Sequence, residues 1–226
     1  MAQTKRPPRR SNTTNTNAAP DATASSQRLS AAERRAARAA EAKREQQRRR
    51  RRLLALVAGA AVLLAIAIGF LVSRAQYERS VLERVQSFEG LSRNHPQGSV
   101  SYPQTPPVGG DHNPAWQNCG YYSTPVGNEN AVHSLEHGAV WITYRPDLPA
   151  NQIDQLRQLA TGQTYILVSP YPDLPSPLVA SAWGKQLRLD SVDTRALNVF
   201  IDEFRQGPQT PEPGAACTGG VGTPQR

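Results

Sequence analysis

Residues 53–72 read LLALVAGAAVLLAIAIGFLV, twenty positions without a charged side chain. As a helix such a run is about 30 Å long, which matches the hydrocarbon core of a bilayer, so it either crosses a membrane or lies wholly inside a protein. Five consecutive arginines at 48–52 stand at its entrance. A buried core helix gives no reason for them, whereas a membrane span with its positive flank held inside does. A cleaved signal peptide is the other explanation. Against it, the basic region ahead of the run is about fifty residues long, and no clear small-x-small cleavage site follows Val72. The expected topology is a single uncleaved signal-anchor in the plasma membrane, with the N-terminus cytoplasmic and the C-terminal domain extracytoplasmic.

Charge follows the same division. The chain is formally +8, but residues 1–52 hold 15 basic against 4 acidic side chains, a net of +11. Residues 73–226 hold 11 against 14, a net of −3. The basicity therefore belongs to the inner segment, where anionic lipid headgroups would attract it. No aromatic residue accompanies the arginines to stack on bases, so no nucleic-acid partner is expected. Protein partners are left open.

Residues 1–29 are rich in Ser, Thr, Asn, Pro and Arg, bury too little apolar surface to fold, and are expected to be a disordered basic cytoplasmic tail. Ser30 followed by Glu33 has the form of a capping box and predicts a basic helix over 30–52, free to continue into the anchor at 53–72. Beyond the anchor, Tyr77, Val81, Leu82, Val85 and Phe88 recur at helical spacing and predict a helical stalk over 73–90, stopped by Gly90.

The stretch 91–128 reads as a long loop, with Trp116, Tyr121 and Tyr122 as anchors that would order it. Val-Trp-Ile-Thr-Tyr at 140–144 predicts a buried strand. A helix over 147–159, a strand over 164–169 and a third strand over 180–189, bulged at Gly184, come next. Ser191 or Asp193 caps a last helix with Ala196, Leu197, Phe200, Ile201 and Phe204 on its apolar side. The expected fold class is α+β: a small mixed sheet with two or three helices and a long ordered loop over 91–207, preceded by one transmembrane helix. That length suffices for one core.

Cys119 and Cys217 both lie beyond the anchor, where an oxidising exterior permits a disulfide. Pairing them would tie the Pro/Gly-rich tail, 208–226, to the centre of the loop. It would close about a hundred residues, which the chain-entropy account values at about 4–5 kcal/mol. The alternative use of Cys119 is as a thiolate metal ligand.

All four histidines of the chain, His95, His112, His133 and His137, fall within one window of 43 residues. His133 and His137 are spaced to share a helix face, with Glu136 at the adjoining position. Imidazole and carboxylate together suit a divalent transition ion, and His112 and His95 are candidates to complete its shell. The only methionine is Met1, which disfavours a thioether copper(I) site, and zinc or copper(II) fits better. The expected function is binding of a metal ion or small ligand at this cluster.

Two alternatives stand beside it. His133-x-x-Glu136-His137 has the H-x-x-E-H form of a metal-dependent hydrolase, although the helix is short and only Asp202 or Glu203 offers a further carboxylate. Trp116, Tyr121, Tyr122 and Trp183 would otherwise serve a cell-surface interaction module. Ser134 lacks the Gly-x-Ser-x-Gly setting of a nucleophile.

The segments at 106–112, 116–122 and 131–144, with Tyr171, Pro177 and Ala182-Trp183-Gly184 downstream, resemble the bacterial family called domain of unknown function 3105. His-Ser-Leu-Glu-His-Gly at 133–138 is the most specific block. The resemblance implies an N-terminal membrane anchor and weight on His112, His133, Glu136 and His137. It implies no activity.

Overall fold

The computed structural model describes residues 30–225; the segment 1–29, read above as disordered, lies outside them. Contacts divide the chain into two units, 1–66 and 67–226.

Helix α1 runs over Ala31–Leu82 without interruption. The Ser30–Glu33 capping box is closed in both directions: the Ser30 amide donates to the Glu33 carboxylate at 2.7 Å, and the Glu33 amide to Ser30 Oγ at 3.3 Å. In the apolar run the large side chains point outward, with Leu54, Leu56 and Phe70 exposed by 69, 70 and 67%. That exposure removes the buried-core explanation. The helix is long and apolar enough to cross a membrane.

The second unit is a mixed α+β fold around one six-stranded sheet. After the last turns of α1 come β1 (Gln86–Ser87), β2 (Gly120–Tyr121), α2 (Asn128–Glu136), β3 (Val140–Tyr144), α3 (Ala150–Ala160), β4 (Ile166–Pro170), β5 (Leu178–Ala182), β6 (Lys185–Leu189) and α4 (Thr194–Phe204). The sheet order is β1-β6-β5-β3-β4-β2. β3 and β4 are parallel through the α3 crossover, and β2 joins β4 in parallel. The other pairings are antiparallel.

Strand alternation builds two cores. Val140, Ile142 and Tyr144 of β3, with Ile166 and Val168 of β4, face a layer closed by Leu156 of α3 and Leu197, Phe200 and Ile201 of α4. Trp141 and Leu167 face the opposite way, meeting Ala131, Val132 and Leu135 of α2 and Trp183. The sheet is thus covered by helices on one side and by α2 with the long loop on the other.

Two sequence expectations change. The helix predicted over 73–90 stops at Leu82, because the chain turns to add β1 to the open side of β6, where the Phe88 amide donates to the Gly184 carbonyl at 2.9 Å. Those last turns of α1 are no free stalk: Val81 is fully buried in the core, and the Tyr77 hydroxyl donates to Asp193 at 2.9 Å. The single strand predicted over 180–189 is a hairpin. Trp183-Gly184 is its two-residue turn and Gly184 has φ +67°, a conformation glycine adopts without strain. A Cβ there would also stand 2.8 Å from the Phe88 carbonyl oxygen. The α4 cap is Asp193, whose carboxylate accepts from the Ala196 amide at 3.0 Å.

Candidate metal centre

Helix α2 is nine residues long and has no side-chain cap at its N-terminus, so its stability comes from tertiary burial rather than propensity. From Ala131 to Glu136 every side chain is buried. The helix ends in a Schellman turn. The Gly138 amide donates to the Leu135 carbonyl and the Ala139 amide to the Ser134 carbonyl, each at 2.9 Å, with Gly138 at φ +93°. This stop places His133 and Glu136 on the last turn facing the loop and leaves His137 at the cap.

The loop above α2 is clasped to itself. Asp111 accepts from the Asn94 amide at 3.2 Å and from its side-chain nitrogen at 2.9 Å, while the His112 amide donates to the Asn94 carbonyl at 2.9 Å. Hydrogen bonds from Ser92 and Asn94 hold the Asp111 carboxyl below the usual carboxylate range, which makes the clasp charge-assisted. The clasp sets His95 beside His112. Trp183 then packs edge-on against the His112 ring at 5.9 Å.

Together these elements bring His95, His112, His133 and Glu136 into one group whose ligand atoms all lie within 4.8 Å of one another. Glu136 Oε2 is central, 2.9 Å from His112 Nε2 and 3.5 Å from His95 Nε2. Zinc–nitrogen bonds of about 2.0–2.1 Å in a tetrahedron set ligand atoms about 3.3 Å apart. The two gaps bracket that value, and the group of four is compact enough that it could hold a metal ion.

Proton placement strengthens this chemistry. His112 Nδ1 lies 2.7 Å from the Gly110 carbonyl oxygen, and His133 Nδ1 2.6 Å from that of Asn113. A carbonyl oxygen only accepts, so both Nδ1 atoms carry hydrogen. Both rings are thereby held by an outer acceptor, as ligating histidines usually are, and His112 turns its Nε2 to Glu136. Burial, the first cause, and the nearby His137 and His112 rings lower the His133 pKa, which favours its neutral, ligating form. His112 Nε2 lies 2.9 Å from Glu136 Oε2, a direct contact that a bound cation would replace.

His137 stands outside the four. Its ring meets that of His133 at 4.5 Å, but its Nδ1 donates to the Ala216 carbonyl at 2.6 Å and its Nε2 faces Glu212 at 3.7 Å. The i, i+4 pair therefore does not converge; His133 and Glu136, at i, i+3, do. Cys119 and Cys217 are at disulfide distance, with Cα atoms 5.4 Å apart, which leaves no thiolate for the cluster. Asp202 and Glu203 are exposed on α4, whose packing is on the far side of the sheet. Ser134 donates to the Gln117 carbonyl at 2.7 Å and is structural.

Tyr121, Tyr122 and Trp183 are buried, so these aromatics pack rather than present a surface. Trp116 packs against both His133 and His137, with ring centroids at 5.8 and 5.1 Å. Two surface cavities of about 480 and 450 Å³ are lined without any histidine. The supporting groups Asn94, Asn113 and Glu212 were not singled out in the sequence; Asn94 and Asn113 adjoin a histidine, which is the signal that was there to use.

Fold and site together define a class: a mixed α+β domain that buries a His/Glu cluster between a short helix and a clasped loop. The chain belongs to the family described as Protein of unknown function (DUF3105), which matches over residues 94–219 and so takes in all four histidines and both cysteines. No curated protein and no solved structure matches the chain.

Proposed function

We propose that this chain is a single-pass membrane protein whose extracytoplasmic domain binds one divalent transition-metal ion between His95, His112, His133 and Glu136. The observation that carries the reading is the gathering of three imidazoles and the Glu136 carboxylate within 4.8 Å, with His112 and His133 pinned through Nδ1 by backbone carbonyls and His112 Nε2 on Glu136. Three nitrogens and one oxygen suit zinc or copper(II). The outward apolar run of α1, the arginines at 48–52 and the cysteine pair support the anchor and its sidedness. The basic inner segment contacts anionic lipid.

A hydrolase built on H-x-x-E-H draws less support, because that chemistry uses both histidines of the motif as ligands and His137 is committed to the tail. The test is elemental mass spectrometry on the full chain in detergent, beside a His112→Ala/His133→Ala control. Near-stoichiometric zinc or copper, lost in the folded control, is expected. No metal as isolated and none on titration would overturn the reading.

A further inference from the structure

We infer that His95 is a displaceable ligand, and that the position it vacates accepts a small exogenous oxygen or nitrogen donor on an ion still held by His112, His133 and Glu136. This rests on the metal-binding reading above. The four ligands differ sharply in how they are held. The side chains of His112 and Glu136 are 0 and 1% exposed, whereas that of His95 is 39% exposed. His112 and His133 are each fixed through Nδ1 by a carbonyl; among the described residues no hydrogen bond restrains Nδ1 of His95. It also makes the longer contact to Glu136, 3.5 Å against 2.9 Å for His112.

The backbone tells the same story. Residues 92–99 are exposed and irregular. Asn94 anchors one side of His95 to Asp111, and the next anchor is the Val100 amide, donating to Glu129 at 2.9 Å. The arc 95–99 between them can swing without breaking either tie or unpacking α2. Such a segment, poor in buried contacts, opens at low free-energy cost.

What remains when His95 leaves is two imidazoles and one carboxylate. That donor set serves catalytic zinc with water in the fourth position, and iron(II) sites that keep open positions for exogenous ligands. Four fixed protein ligands, by contrast, would make a closed structural site.

Cobalt(II) and azide are the probes. The full chain in detergent and its His95→Ala variant are freed of metal by chelation, loaded with cobalt(II), and assayed for metal content and visible absorption during azide titration. The variant is expected to hold about one cobalt per chain. Azide should bind it about tenfold tighter than wild type, because the ligand no longer waits for His95 to leave. His95→Gln, which keeps a polar side chain of similar reach, repeats the test should the alanine variant lose its circular dichroism.

A folded variant that binds no cobalt, beside a wild type that does, overturns the inference and leaves the metal-binding reading standing. Cobalt retention with unchanged azide affinity overturns it as well. Wild type that takes up no cobalt sinks both.

Discussion

The two faces of the sheet are made from alternate residues of the same strands, yet they are built on different terms. Behind β3, Val140, Ile142 and Tyr144 meet the apolar sides of α3 and α4, a layer specified by hydrophobicity and volume. In front, Trp141 and Leu167 supply a smaller apolar floor, and the layer over it is polar, with His112, His133 and Glu136 buried and hydrogen-bonded. A layer of the first kind tolerates substitution that conserves volume. A layer of the second kind fails as soon as one donor loses its acceptor. The larger apolar core lies on one face and the candidate metal centre on the other.

The sharpest break of that comparison is Phe200→Ala. Phe200 is fully buried in the rear core, and its truncation should cost about 3–5 kcal/mol in denaturant unfolding. Metal content per folded chain should be unchanged. Removing the disulfide by Cys119→Ser/Cys217→Ser should cost about 2–5 kcal/mol on the same measurement. It should also loosen the tail around His137 while sparing the four ligands.

Glu136→Ala comes third, at about 1–3 kcal/mol, since it leaves His112 Nε2 buried without a partner. This change should abolish metal uptake, the reverse of the Phe200 pattern. The smallest effect is pH dependence in chelator-treated protein. Burial lowers the His133 pKa, so the unfolded chain binds a proton there more readily than the folded one. The contribution is fully present above the ordinary value of 6.5 and is lost as pH falls below it. Unfolding midpoints at pH 7.5 and 5.5 should therefore differ less in His133→Asn than in wild type.

The rear face was largely legible in the sequence. The apolar spacing of α4 and the Val-Trp-Ile-Thr-Tyr run of β3 report burial directly, because helix and strand periods are local properties. The hairpin was not: Trp183-Gly184 lacks the Asn-Gly or Asp-Gly signature, and its turn is set by the docking of Phe88 and Val108 onto Gly184. β1 and β2, two residues each, are too short to carry any period.

On the front face the histidine clustering was visible, but its selection was not. His137 is turned away by Ala216, 79 residues distant. His95 is brought in by the Asn94–Asp111 clasp, 17 residues apart. Neither tie leaves a trace in local spacing.

The tail has a second consequence, for the behaviour of this protein at high concentration. β2 is a terminal strand of the sheet, with its outer backbone groups available for pairing with another chain. Here that border is occupied: the Gln225 amide donates to the Tyr121 carbonyl at 2.8 Å, and the Val221 amide to the Trp116 carbonyl at 2.9 Å. At the other border β1 is only two residues long. The disulfide that fastens the tail thus also keeps a selvedge on the sheet, and a reduced or clipped tail would leave an edge on which copies of the domain can knit together.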